Sequence, residues 1–243
     1  MTKRRRSQFD KGLGQLRSLV LGGDFAPHDR LSETALAERL GISRTPLRQA
    51  IDRLVEEGML ERLPSGGCRV ARFTMQDIVD AIELRGVLEG MAVRLAAERG
   101  VSKEMMEECR EVLSELSDAV FKPDTPDFSR YVPLNQHFHE LMARLCESSL
   151  IERELERACR LPVASPTAFL GGQELIPDFQ ESLRRAHRQH LNIFDAIVNR
   201  EGTRAESLAR EHARLARVNL EYITNENPKL AERIPGLALV DAA

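Results

Sequence analysis

Tryptophan is absent from this 243-residue chain, tyrosine occurs twice, and aromatic residues amount to 5% of the whole. Cysteine is also scarce: Cys68, Cys109, Cys146 and Cys159 form no Cys-x-x-Cys pair. A disulfide framework and a zinc ribbon are therefore unsupported, and reduced thiols are expected. No segment approaches the roughly 18 apolar residues of a membrane-spanning helix. The basic start, Lys3-Arg4-Arg5-Arg6, is not followed by an apolar stretch, so no export signal is read there and a cytoplasmic location is expected. His-Glu-x-x-His, a nucleophile elbow and a phosphate-cradling glycine loop are all missing, which leaves an enzyme without its usual motifs. Nor is there an overall excess of positive charge, since 35 Lys/Arg stand against 38 Asp/Glu for a net −3.

The charge is unevenly placed. Residues 1–72 hold 14 Lys/Arg and 9 Asp/Glu, a balance of +5, while residues 73–243 stand at −8. A basic head on an acidic body suits phosphate contact by the first part alone. With 42% hydrophobic residues the chain can build real cores, and its length fits two domains. Lys3-Arg4-Arg5-Arg6 either adds phosphate contacts or is a disordered, solubilising start.

Within the basic head, residues 33–60 read as two short helices joined at Gly41-Ile42-Ser43. Gly41 suits the left-handed turn that ends a helix, and Ser43 is placed to cap the next. Pro46 falls in the first turn, where a missing N–H costs little. Leu47, Ala50, Ile51 and Leu54 then follow the i, i+3, i+4, i+7 rule of one buried face. Arg44, Thr45, Arg48, Gln49 and Asp52 fall on the other face. An Arg-rich helix tip on an apolar back is what reading a major groove requires, whereas an ordinary helical hairpin would merely solvate those charges. Residues 59–63 and 68–72 alternate like short strands around Pro64-Ser65-Gly66-Gly67, which makes the unit a winged helix. Its wing would carry Arg62 and Arg69 towards the DNA backbone or minor groove.

The run Leu16–Val70 resembles the DNA-binding domain of the GntR family of bacterial transcription regulators. The resemblance rests on Pro27, Leu31, Glu33, Leu36-Ala37, the string Leu40-Gly41-Ile42-Ser43-Arg44-Thr45-Pro46-Leu47-Arg48, Leu54, Glu57-Gly58, Gly67 and Val70. His28-Asp29 departs from the family's usual Pro-Gly, in a turn ahead of the reading helix. The resemblance implies Ser43, Arg44, Thr45, Arg48 and Gly67 as DNA contacts, made by a homodimer on a palindromic operator.

Beyond Thr74, strand-like alternation disappears. Thr74 and Asp77 make a capping-box opening for a helix to about residue 99, and further helices are expected over 102–121, 127–146, 149–160, 178–200 and 203–224. Pro/Gly breaks near 123–126, 162–166, 171–172 and 202 separate them. An antiparallel helical bundle follows. The expected division is a winged helix over 1–73, an all-α domain over 74–224 and a C-terminal tail over 225–243, mainly α throughout.

Six histidines occur in the chain. Asn135 and His139 are four apart on one helix face, with His137 on the opposite side. His190 shares its side with Leu183, Phe194 and Ile197, and His212 shares its side with Leu208, Leu215 and Ile223. Three inward imidazoles from three helices suit a transition metal with positions left for a small anion, although each alone would read as a satisfied core histidine. Arg85, on a mixed face with Ile78, Ile82 and Glu89, is either a carboxylate clamp or an i, i+4 partner of Glu89. Phe138, Phe194 and Ile82 are candidates to pack a ring.

Residues 74–224 in turn resemble the FCD ligand-binding domain of the FadR-like branch of that family. There an Asp-x3-His pair and two later histidines hold a divalent metal. The resemblance implies Asn135, His139, His190 and His212 as the metal set, with His187 a competitor that breaks the spacing. Zinc, nickel and manganese all stay open. Asn135 stands where aspartate is usual, which lowers the expected affinity or leaves the fourth position to water or effector. Local similarity to vanillate-type regulators (residues 81–90, 135–139 and 186–190) implies a small carboxylate effector of aromatic type, with aliphatic hydroxy or dicarboxylic acids as the alternative. The expected function is a repressor released from its operator by that acid. A metal-free acyl-CoA sensor and a metal-dependent hydrolase are the competing readings.

Overall fold

The computed structural model describes residues 3–121, 125–161, 163–168, 170, 177–225, 234 and 236–240, with 3–7 and 177–179 described by backbone alone. The expected breaks at Pro123 and Gly171-Gly172, the side chains of Lys3–Arg6 and most of the tail lie outside it. The chain divides into two compact units: residues 1–78 with 160–163 and 234–243, and residues 79–159 with 164–233.

The first unit starts with α1 (Lys3–Leu21), an element the sequence reading did not assign. A two-residue strand, β1 (Arg30–Leu31), precedes α2 (Glu33–Leu40) and α3 (Arg44–Glu56). Ser32 caps α2 by accepting from the Ala35 N–H, and Gly41 ends it at φ 62° in the left-handed region. Ser43 occupies the N-cap position of α3 but makes no side-chain cap hydrogen bond, contrary to expectation. The reason is local: an N-cap oxygen is satisfied by the second or third helical N–H, and Pro46 has none. Strands β2 (Leu60–Arg62) and β3 (Cys68–Val70) form the wing, and β1 joins them in an antiparallel sheet of order β1-β3-β2. Gly66 and Gly67, at φ 87° and 82°, turn the hairpin in a conformation open to glycine.

Leu47, Ala50, Ile51 and Leu54 are fully buried against Leu16 and Val20 of α1. The end of the chain contributes to the same core. Gly236 N–H donates to Leu21, Phe73 N–H donates to Leu239, and Leu239 is fully buried. Its described part is thus a packed element, not a loose tail.

The second unit is helical among the described residues: α4 (Met75–Arg99, from its second turn on), α5 (Lys103–Val120), α6 (Phe128–Arg144), α7 (Ser149–Cys159), α8 (Pro177–Val198) and α9 (Gly202–Asn225). Thr74 and Asp77 close the capping box reciprocally, with Thr74 N–H and Oγ1 on Asp77 Oδ2 at 2.7 and 2.6 Å. Asp127 caps α6. Helices α8 and α9 run antiparallel in a register fixed by Ser182 with Asn219, Gln189 with Glu211, and His190 with His212. Helix α4 crosses α9 closely: a Cβ on Gly86 would lie 2.9 Å from that of Ala213. Among the described residues no helix is long and apolar enough to cross a membrane.

Candidate functional site

Two sets of side chains stand out, one in each unit. In the first, the apolar back of α3 is clamped in the core, so its opposite face is fixed in direction and exposed. Ser43, Arg44, Thr45 and Arg48 all lie on that face, as does Asp52, and Gly67 is exposed at the wing. Gln49 is half-buried. Arg48 Nε holds Glu33 at 2.7 Å across the helix–turn–helix. The wing arginines are paired as well, Arg62 with Asp52 and Arg69 with Glu61. Those carboxylates keep the guanidinium groups at the surface, where phosphates can compete for them.

In the second unit, three helices aim imidazoles at one point. His190 Nε2 lies 2.9 Å from His212 Nε2, which lies 3.3 Å from His139 Nε2. All three residues are buried. The far nitrogens of two rings are held from behind. His139 Nδ1 donates to Glu89 Oε1 at 2.9 Å, and His212 Nδ1 donates to Gln189 Oε1 at 3.1 Å. Gln189 has no freedom to present its other face, because its Nε2 donates to Glu211. With Nδ1 engaged in both rings, the Nε2 atoms of His139 and His212 are left to face each other and His190 Nε2, so three imidazole nitrogens converge on one point. A cation there would be held by all three.

Burial keeps His190 and His212 neutral. Burial, and then its imidazole neighbours, push His190 well below the ordinary histidine value. Burial and His139 bring His212 down to about 3, against the pull of Glu89. For Glu89, burial works towards protonation, but the Arg85 guanidinium and His139 outweigh it and hold the carboxyl at about 2. Three buried imidazoles, two of them backed by a carboxylate and an amide, form a donor set that fits a divalent metal.

Asn135 is buried beside this cluster, yet its amide is engaged elsewhere: Oδ1 accepts from the Tyr131 hydroxyl at 3.2 Å, and Nδ2 faces the Pro166 carbonyl at 3.5 Å. His187 is also buried, but its Nε2 is spent on Ser117 Oγ at 2.7 Å, and it is not part of the converging set. His137 faces outward, 3.5 Å from Glu108.

Arg85 is only 2% exposed. One of its terminal nitrogens donates to the Ala213 carbonyl, while Nε and Nη1 have no hydrogen-bond partner among the described residues. Its Nε stands 3.8 Å from Glu89 Oε2, an i, i+4 ion pair without a hydrogen bond, which leaves Nε and Nη1 without hydrogen-bond partners among the described residues. A cavity of about 50 Å³ adjoins Arg85, His139 and His212 and is walled by Tyr131, Asn135, Leu170, Leu183 and Leu215. The ring-packing candidates Phe138, Phe194 and Ile82 are not in its wall. Phe138 instead packs on His190, with ring centroids 4.7 Å apart.

Sequence reasoning missed Glu89 as a support for His139, and it missed Gln189 and Glu211. Glu89 carried a signal, being an acid paired with Arg85 on a helix face that is apolar elsewhere, at Ile78 and Ile82. The other two carried none.

Comparison with known proteins agrees with both units. The family model "Bacterial regulatory proteins, gntR family" matches residues 13–70, and the FCD domain matches residues 80–215. The HTH-type transcriptional regulator YdhC of Bacillus subtilis strain 168 is 27% identical over 220 residues, covering 90% of this chain and 82% of the relative. The HTH-type transcriptional repressor GlaR of Escherichia coli K12 is 27% identical over 204 residues, covering 83% and 90%. Among solved structures, E. coli McbR/YncC shares the fold with a TM-score of 0.63 at 22% identity, over 90% of this chain and 99% of that one. These are regulators, and the hydrolase reading of the histidines falls with them. The chain belongs to the FadR-like, FCD-containing branch of the GntR family and is a DNA-binding transcription regulator, not an enzyme.

Proposed function

We propose that the chain is a cytoplasmic, homodimeric repressor that binds a palindromic operator through α3 and its wing and leaves it when a small carboxylate enters the FCD cavity. Arg44 and Arg48 read base edges or adjacent phosphates, with Ser43, Thr45 and Gly67 supporting at the backbone. A single reading helix contacts too few bases, so two-fold pairing supplies the affinity. In coupling terms, the acid binds the DNA-incompetent arrangement better than the competent one.

The observation that carries this reading is the convergence of three buried imidazole nitrogens beside a buried arginine with unspent donors. His139, His190 and His212 would hold a divalent ion, whose identity among zinc, nickel and manganese the imidazoles do not select. When bound, that ion supplies a positive centre for an anionic ligand. Asn135 takes an indirect part, consistent with its amide oxygen being occupied by Tyr131. Arg85 grips the carboxylate with Nε and Nη1.

Size bears on the acid. Benzene occupies a cavity of about 150 Å³, well above the room found here, about 50 Å³. An acid of six carbons or more, aromatic or aliphatic, therefore requires the walls to move. The same argument disfavours an acyl-CoA, for which the buried imidazoles also offer no use.

Elemental analysis before and after chelation tests the metal. About one ion per chain, with a raised melting temperature on reloading, is expected in the wild type, and both effects should be lost in His190→Ala. A protein that stays metal-free, with melting unchanged by all three ions, would overturn the reading.

A further inference from the structure

The cavity has a second end, and its chemistry differs from the first. The histidines and Arg85 mark one level of the bundle. Two turns away on three helices lies another polar level. Tyr131 is eight residues before His139 on α6, Ser182 eight before His190 on α8, and Asn219 seven after His212 on α9. At 1.5 Å per residue these steps are about 10–12 Å along the helix axes. Tyr131, Ser182 and Asn219 all line the same cavity as Arg85, His139 and His212. Ser182 Oγ lies 3.5 Å from Asn219 Oδ1, a long contact that leaves both groups capacity for another partner. Between the two levels the wall is mostly hydrocarbon, from Leu183, Ala186 and Leu215 among others, with the Asn135 amide, already bonded to Tyr131, midway along α6.

Charge separates the ends further. Arg85 is the only Lys or Arg in the cavity wall among the described residues, and the distal pair is neutral. Ser182 and Asn219 are half-buried, so a second carboxylate placed there would find no counter-charge to favour it over a neutral group. A hydroxyl or carbonyl would be satisfied by the hydroxyl and the amide.

We infer that Ser182 and Asn219 determine effector specificity, and that the effector is an acid carrying a neutral hydrogen-bonding group several carbons from its carboxylate, not a simple monoacid or a dicarboxylic acid. This rests on the FCD cavity being the acid-binding site, as proposed above. An apolar spacer lies along the leucines, the carboxylate faces Arg85, and the distal hydroxyl or carbonyl bridges α8 and α9.

Calorimetric titration of zinc-loaded full-length protein tests it with three series: pentanoate and hexanoate, 5-hydroxypentanoate and 6-hydroxyhexanoate, and glutarate and adipate. The expected result is that one hydroxy acid binds about tenfold tighter than the unsubstituted acid of equal chain length, and tighter than the diacid. In Ser182→Ala, and in the near-isosteric Asn219→Leu, that ratio should fall towards one. Melting curves verify that each variant is folded, and either variant alone suffices for the comparison. Acids that bind with no preference for the distal hydroxyl, or a preference undiminished in both variants, would overturn this inference while leaving the acid site intact. Failure of all the acids to bind would overturn both.

Discussion

Glu33 holds Arg48 Nε at 2.7 Å while most of the Arg48 side chain stays in solvent, so in the proposed reading role this arginine meets DNA already oriented. Such an exposed pair is weak and exchangeable, so a guanine edge or phosphate can replace the carboxylate. Arg44→Ala and Arg48→Ala should each cost about 1–3 kcal/mol of operator affinity, with little loss on random DNA if the contact is to a base. Unchanged operator affinity in both, by fluorescence anisotropy, would remove α3 from the reading role. His187 gives a separate check by pH. Burial lowers it to about 4, so the folded protein keeps it neutral where the unfolded chain would protonate it. Its environment costs nothing above about pH 6.5 and subtracts stability progressively as pH falls towards 4. Melting curves of His187→Gln should therefore decline less steeply across that window than those of the wild type. The three converging histidines were legible because helical spacing fixes which side a residue faces. The supports were not, since Glu89 on α4 reaches His139 on α6 only after the helices pack. Spacing also misjudged Phe138, which faces inward as expected but spends its ring on His190.

At the scale of elements, long periodic helices could be read to within a few residues, and the wing was given away by its Gly-rich turn. Three elements escaped, the 19-residue α1 among them. Strand β1 is two residues long, too short to show alternation, and exists because β3 offers it a free edge. The end of the chain lacked periodicity and carried prolines, which suggested a tail. Its anchoring rests on the buried Ile234, Leu237 and Leu239 and on two backbone hydrogen bonds to the rest of the unit, features with no local pattern. Leu239→Ala removes a fully buried side chain from the winged-helix core. Large-to-small changes of this kind cost about 2–5 kcal/mol. Denaturant unfolding should show that loss in the DNA-binding unit, with metal content per chain unchanged. A midpoint equal to that of the wild type would mean that the end of the chain contributes nothing to that core.

For the molecule as a whole, the partition of charge seen in the sequence acquires a purpose: the excess of arginine and lysine lies in the first 72 residues, and the acidic remainder houses the buried cluster. Operator binding should therefore weaken steeply with added salt, while acid binding, which is buried, responds far less. The regulatory claim joins the two activities, and its most direct test is one titration. Full-length protein is placed on an operator fragment selected from genomic DNA, and anisotropy is followed as a small acid is added with and without bound metal. The account predicts that the acid lowers operator affinity at least fivefold in metal-loaded wild type and has no effect in His139→Ala or Arg85→Ala. An acid that binds the wild type but leaves operator affinity unchanged, or that releases DNA equally well from His139→Ala, would contradict it.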